Sequence, residues 1–128
     1  MRRIVANRIR TPDGTVLQSF HVHDYKSYTD KNGLEYMVDD GLEYLRRNVN
    51  PGAEAEELSV YEDDPFALIR RTFHWGTRGK NGNQPLRWVP LIELETNHIQ
   101  TILELVPLRD HIKDLFEREL EVREEDEV

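Results

Sequence analysis

Residues 65–92 read PFALIRRTFHWGTRGKNGNQPLRWVPLI and differ in charge from the rest of the chain. At their centre, an aromatic pair, Phe73 and Trp75, precedes a Gly/Asn-rich segment whose backbone can expose several N–H groups. Cations, flat rings and free backbone donors together suit an anionic ligand that carries a ring. The alternative is a β-hairpin with both aromatic rings in the core and solvated arginines. The stretch lacks Asp and Glu, and its local charge of +5, in a protein of net charge −8, comes from Arg70, Arg71, Arg78, Lys80 and Arg87.

The same stretch predicts a helix followed by a hairpin. Apolar residues recur at helical spacing directly after Pro65, with Asp63 or Asp64 as the N-cap and Arg70-Arg71 in the last turn. The Gly/Asn segment then separates two short runs with strand character. The predicted strands are residues 73–77 and 86–89.

The N-terminal half predicts antiparallel strands. Pro12-Asp13-Gly14-Thr15 and Asp30-Lys31-Asn32-Gly33 are turn sequences, and the runs around them alternate between apolar and polar residues. We therefore expect a three-stranded meander over residues 3–11, 16–28 and 34–38. A short helix over 41–50, with acids before it and Arg46-Arg47 in its last turn, matches the helix dipole. Residues 58–61 predict one more short strand.

Two amphipathic helices end the chain. Thr96 is a good N-cap for a helix over residues 97–105, and an apolar repeat from Leu108 to Leu120 predicts a second helix. The acidic residues 124–128 are expected to form a frayed tail. The predicted fold class is α+β: a three-stranded antiparallel meander and a second hairpin, decorated by helices, two of them C-terminal, in one domain over residues 1–123.

Composition excludes several classes of function. The chain of 128 residues has no cysteine, so it can form neither a disulfide, nor a thiolate zinc site, nor a thiol nucleophile. No apolar run approaches the roughly 20 residues of a membrane span, and we expect a cytoplasmic protein. Seven acidic and two basic residues after position 116 give this end a charge of −5, which together with the overall charge argues against binding duplex DNA.

The titratable residues do not form an evident catalytic set. Of the five histidines, His21 and His23 share a strand face, but two ligands do not make a metal site. The paired acids Asp39-Asp40 and Asp63-Asp64 are explained by helix capping. No Ser-His-Asp spacing, phosphate loop or dinucleotide-binding glycine pattern is present. We therefore expect a binding protein, with no cofactor and no metal, rather than an enzyme.

Two pairs of adjacent arginines, Arg46-Arg47 and Arg70-Arg71, allow two interpretations. Each pair could hold an anion between its two cations. Each could instead form ion pairs with the nearby acids at 39–40 and 63–64.

Several motifs together resemble a family of small bacteriophage proteins, the first type of anti-Thoeris sponge, and the resemblance covers nearly the whole chain. Such proteins sequester the glycocyclic ADP-ribose signal made by bacterial TIR-domain enzymes. One departure is Asp40, which stands where many similar sequences have Gly. The motifs are NRIRTPDGT at 7–15, EYMVDDGLEYLRR at 35–47, ELSVY at 57–61, FHWGTRGKNG at 73–82 and PLRWVPL at 85–91.

The resemblance implies a WW-like β module that binds its signal without hydrolysing it. It also implies assembly as dimers or higher oligomers, a hexamer among them, and a second pocket for cyclic oligonucleotides in some members. Phe73 would stack on the adenine and Asn83 would hydrogen-bond the ligand. The remaining residues of the implied ligand site are Trp75, Arg71, Arg78, Lys80, Gly76 and Thr77.

A different interpretation is that the chain inhibits a host protein by direct contact. The charge of −5 at the C-terminus would then let the last helix mimic nucleic acid or dock on a basic partner. Apolar stripes on both C-terminal helices and uncovered sheet edges also predict a homo-oligomer, with a symmetric dimer as its simplest form.

Overall fold

The computed structural model describes residues 3–21, 24–39, 41–42, 46–47, 55–79 and 81–126. The chain divides after Asp64 into two compact units, called here the N-terminal unit and the C-terminal unit. The paired strands are antiparallel and the helices do not connect parallel strands, so the predicted α+β class is confirmed. No helix in the described ranges has both the length and the apolar character that crossing a membrane requires.

The N-terminal unit consists of short antiparallel strands. The strands are β1 (Ile4–Arg10), β2 (Val16–Ser19), β3 (Lys26–Thr29), β4 (Glu35–Asp39), β5 (Arg46–Arg47), β6 (Glu56–Glu57) and β7 (Val60–Tyr61). Strand β1 pairs with β2, β6 and β7, while β4 pairs with β3 and β5. Ile9, Tyr36 and Val38 are buried together in this unit.

The predicted strand over residues 16–28 is wrong, because the chain turns within it. The Asp24 carboxylate accepts a hydrogen bond from the Phe20 N–H at 2.7 Å, and the Asp24 N–H donates to the His21 carbonyl at 3.0 Å. The Ser19 hydroxyl donates to the Asp24 carbonyl at 2.7 Å. These local bonds close a turn of the kind that Asp favours. Two hairpins, β1–β2 and β3–β4, therefore replace the continuous meander.

The predicted helix over residues 41–50 is also wrong where the structure describes it. Arg46 and Arg47 form strand β5, with Arg46 opposite Asp39 and Arg47 opposite Val38 on β4. Pairing with β4 gives the backbone N–H and C=O groups of these residues hydrogen-bond partners, which a helix would otherwise have provided. Residues 40, 43–45 and 48–54 lie outside the described ranges, as does His23.

Hydrogen bonds at the β1–β2 turn tie the two hairpins together. The Asp13 carboxylate accepts hydrogen bonds from the Thr11 and Tyr28 hydroxyls. The bond from Thr11, with a further contribution from Tyr28, lowers the pKa of Asp13 well below its usual range. The same carboxylate raises the pKa of the Tyr28 phenol, because the phenol donates its proton to that contact.

Gly41 lies where two backbone segments of the N-terminal unit approach each other closely. Its φ is +54°, and a Cβ atom added to it would lie 2.6 Å from the backbone carbonyl carbon of His21. The side-chain amide of Asn7 donates to the carbonyls of Asp39 at 2.9 Å and Gly41 at 2.8 Å. The Gly41 N–H in turn donates to the Ser19 hydroxyl at 2.7 Å. These hydrogen bonds hold Gly41 in place, and the backbone of His21 leaves no room for a side chain on it.

We expect Gly41→Ala to destabilise the protein more than Gly33→Ala. Gly33 also has a positive φ, of +82°, but nothing lies within 4 Å of its added Cβ. The control therefore carries only the cost of a left-handed backbone, about 1–2 kcal/mol, whereas Gly41→Ala adds a backbone clash. The measurement is urea denaturation followed by circular dichroism. Equal losses in the two variants would contradict the packing role of Gly41.

The C-terminal unit matches the predicted order of a helix, a hairpin and two helices. The elements are α1 (Phe66–Thr72), β8 (His74–Thr77), β9 (Arg87–Pro90), a 3-10 turn (Leu91–Glu93), α2 (Thr96–Leu105) and α3 (Asp110–Asp126). Strands β8 and β9 pair antiparallel, and the helices and the 3-10 turn also contribute buried residues to the core. Helix α3 is longer than expected, since it continues through Asp126 into the segment predicted to be frayed.

Neither predicted side-chain cap forms. Helix α1 has Pro65 as its N-cap with no side-chain capping bond, and the Asp64 carboxylate accepts from the Tyr61 N–H at 2.8 Å. Helix α2 begins at Thr96, one residue before the predicted start. The Thr96 hydroxyl accepts a hydrogen bond from Arg123 at 3.0 Å instead of capping the helix.

A buried carboxylate on α3 joins the helices of the C-terminal unit. Glu119 is 0% exposed and accepts two hydrogen bonds from the Arg70 guanidinium, at 2.8 and 2.7 Å. The Nε of Arg123 donates to the same carboxylate at 2.7 Å, and its Nη2 reaches the Leu91 carbonyl at 3.2 Å. The bond to Glu119 raises the pKa of Arg70. The partner of Arg70 is therefore Glu119, and not one of the acids expected from the sequence.

Candidate functional site

The two faces of the β8–β9 hairpin have different environments. Trp75 lies opposite Val89 and Thr77 opposite Arg87, so these four side chains share one face. Gly76 lies opposite Trp88 on the other face. A Cβ atom at Gly76 would lie 3.0 Å from the Trp88 ring, so glycine allows the indole to lie across the neighbouring strand.

Phe73 belongs to the hydrophobic core. It is 3% exposed, and its ring packs edge-to-face on Phe116 with centroids 5.9 Å apart. The half-buried Trp75 packs on the same ring at 5.3 Å. Phe73 thus takes the core position that the sequence left as an alternative, and an adenine cannot reach its ring in this conformation. The stacking role implied by the resemblance stays a prediction, and the burial of the ring argues against it.

Three backbone donors of the loop between the strands form hydrogen bonds within the loop. The Gly79 N–H donates to the Thr77 hydroxyl at 3.1 Å, the Gly82 N–H to the Gly79 carbonyl at 3.2 Å, and the Gln84 N–H to the Arg78 carbonyl at 2.9 Å. These N–H groups are therefore not the free donors that the Gly/Asn segment suggested.

Other predicted site residues lie at the surface. The side chains of Arg78 and Asn83 are exposed at the loop, and Arg71 is exposed at the end of α1. Lys80 lies outside the described residues. The loop thus presents exposed side chains that a ligand can contact.

A cleft of about 390 Å³ opens beside the Thr77–Arg87 face of the hairpin. Its walls come from both strands, from the segment that follows β9, and from the first turns of α2. Of the predicted ligand-site residues that the structure describes, Thr77 alone lines it, and Gly76 lies on the other face of the hairpin. The lining residues are Thr77, Gly79, Arg87, Val89, Glu93, Leu94, Glu95, Asn97, His98 and Thr101.

The cleft carries charges of both signs. Arg87, Glu93 and Glu95 are exposed, and none of the three forms an ion pair within the ranges that the structure describes. Asn97 and Thr101 add polar groups one helical turn apart on α2, and His98 is half-buried beside them. The buried apolar residues Val89 and Leu94 line the cleft beside these polar groups, a combination that is typical of small-molecule sites.

Sequence reasoning did not select the acidic and α2 residues of this cleft. Arg87 belongs to the cationic stretch. The predicted pairing of strands 73–77 and 86–89 already indicates that Arg87 lies close to Thr77, as it does in the structure. Glu93 and Glu95 lie just after that stretch, where the charge changes sign. In the described part of the chain, no three histidine or carboxylate side chains are grouped to hold a metal ion.

Comparisons with protein-family models, curated proteins and solved structures find no match to this chain. Its function is therefore inferred from its own residues and from the motifs quoted above.

Proposed function

We propose that this protein binds and sequesters a nucleotide-derived signal without cleaving it. The ligand class is that of glycocyclic ADP-ribose, which follows from the resemblance to anti-Thoeris sponges, and cyclic oligonucleotides are further candidates. The main support is the cleft beside the cation-rich hairpin. Its volume of about 390 Å³ falls within the range of about 300–1,000 Å³ that small-molecule sites occupy.

Sequestration depends on affinity, and the site supplies groups that give it. Arg87 lines the cleft and Arg78 is exposed on the adjoining loop, so both guanidiniums can bind phosphate oxygens. Each hydrogen bond to a charged group is worth about 1.5–3 kcal/mol. Because Phe73 is buried, this affinity has to come from cations and polar groups rather than from stacking on that ring.

We expect the protein to return its ligand intact. The protein is incubated with glycocyclic ADP-ribose, separated from unbound nucleotide by gel filtration, heat-denatured, and the released nucleotide is identified by mass spectrometry. The expected result is unchanged ligand in an amount close to the amount of protein. A sample denatured before incubation is the control. Recovery of a linear product, or of no nucleotide above the control, would contradict sequestration.

A second candidate function is inhibition of a host protein through α3. Its specific support is a group of exposed acids along a helix that is ordered through Asp126: Glu117, Glu121, Glu124, Glu125 and Asp126. The test removes the acidic charge from α3. Cutting the helix short would also remove Arg123, which binds the buried Glu119, so the better change is to replace Glu121, Glu124 and Glu125 by Gln. Loss of protection in a phage-defence assay with unchanged nucleotide binding would favour this candidate over sequestration.

A further inference from the structure

The cleft is lined by both acidic and basic residues, whereas a site for phosphate alone would be lined mainly by basic ones. One cationic residue, Arg87 on β9, lines it together with two acidic residues, Glu93 and Glu95, from the segment between β9 and α2. Together these three side chains carry a formal charge of −1. A bare phosphate or pyrophosphate would meet repulsion from both carboxylates. Unpaired charges of both signs indicate a ligand with two chemically different ends.

A ribose phosphate has those two ends. Its phosphate is an anion that a guanidinium binds with charge-assisted hydrogen bonds. Its vicinal hydroxyls are hydrogen-bond donors, and a carboxylate is the acceptor that proteins use for ribose hydroxyls in dinucleotide sites. The exposed Arg78 lies on the loop next to the cleft residues Thr77 and Gly79, so a second phosphate could remain outside the cleft.

We propose that the cleft binds a ribose, with Glu93 and Glu95 accepting hydrogen bonds from its hydroxyls and Arg87 binding the attached phosphate. This assignment rests on the proposed function, which supplies the nucleotide class of the ligand. It moves the specificity of the site from Phe73 and Asn83 to the walls of the cleft. The two carboxylates select for ribose although they oppose the charge of the ligand.

The test asks whether one double substitution changes the affinities for two ligands in opposite directions. Glu93→Gln/Glu95→Gln is titrated calorimetrically with glycocyclic ADP-ribose and with inorganic pyrophosphate. We expect nucleotide binding to weaken about tenfold, because an amide replaces each carboxylate acceptor. Pyrophosphate has no hydroxyl donors, so its weak binding is expected to strengthen when the two negative charges are removed. Arg87→Gln is expected to weaken binding of both probes by tenfold or more.

Matched controls keep folding effects separate. Glu104→Gln removes an exposed acid from α2 outside the cleft and should leave both affinities unchanged. Melting temperatures of all variants should stay close to that of the wild type, because the substituted side chains are exposed. Tighter or unchanged nucleotide binding by the Glu93→Gln/Glu95→Gln variant would overturn the ribose assignment.

The outcomes also distinguish this inference from the proposed function. If the wild type binds the nucleotide and all cleft variants bind it equally well, sequestration stands and the cleft assignment fails. If the wild type binds no nucleotide at all, both fail together.

Discussion

Phe73→Ala is expected to lower the free energy of unfolding by about 3–5 kcal/mol, the usual cost of deleting a buried aromatic side chain. Phe73 is 3% exposed and contacts the ring of Phe116, which also contacts Trp75. Removing it therefore leaves a cavity in the middle of the C-terminal unit and takes away one of two edge-to-face contacts on Phe116. The measurement is urea denaturation followed by circular dichroism.

Asn83→Ala is the matched control for Phe73→Ala. Asn83 is exposed in the loop between β8 and β9, so the free energy of unfolding should change by less than about 0.5 kcal/mol. The core role of Phe73 would be contradicted if Phe73→Ala kept wild-type stability and lost only nucleotide binding. That pattern would return the ring to the ligand site implied by the resemblance.

Glu119→Ala is expected to have a similarly large effect for an electrostatic reason. The carboxylate is fully buried and pairs with the two partly buried guanidiniums of Arg70 and Arg123, whose side chains are 19% and 18% exposed, so it offsets one of their two positive charges. Without it, two like charges face each other with little water to solvate them. Breaking a buried ion pair by removing one partner costs about 3–5 kcal/mol.

Two further variants separate the ion pair from simple loss of packing. Glu121→Ala removes an exposed acid from the same helix and should be nearly neutral. Arg70→Met/Glu119→Leu removes one cation together with the carboxylate and should recover a substantial part of the loss, since apolar replacements of buried pairs are often tolerated. Strictly additive losses in the cycle of Arg70→Met, Glu119→Leu and the double variant would argue against coupling of these side chains.

Local sequence signals predicted the C-terminal unit well. Helical periodicity before Phe73, a Gly/Asn turn and two later apolar stripes correspond to α1, the hairpin, α2 and α3. The N-terminal unit was less predictable, because its strands depend on pairing between distant residues. Arg46 and Arg47 have good helix propensity but pair with β4, and Asp24 closes a turn inside an alternating run.

The site was harder to predict than the fold. A cationic stretch with two aromatics has the same composition whether its rings face a core or a ligand, and only the packing on Phe116 distinguishes the two. Glu119 did leave a signal, since it continues the apolar spacing of Ile112, Leu115 and Phe116 on α3. Predicting the cleft would have required knowing that the start of α2 lies beside the Arg87 face of the hairpin, and no local sequence pattern specifies that. The expected homo-oligomer stays a prediction.

The hairpin also gives the protein a convenient spectroscopic division. Both tryptophans of the chain, Trp75 and Trp88, lie on its paired strands, whereas all five tyrosines precede Pro65. Excitation at wavelengths absorbed only by indole therefore reports on the C-terminal unit, and tyrosine absorbance reports mainly on the N-terminal one. Because Trp75 touches Phe116, its emission also senses whether α3 stays docked. One denaturation series thus yields two curves, and their coincidence or separation measures how cooperatively the two units unfold.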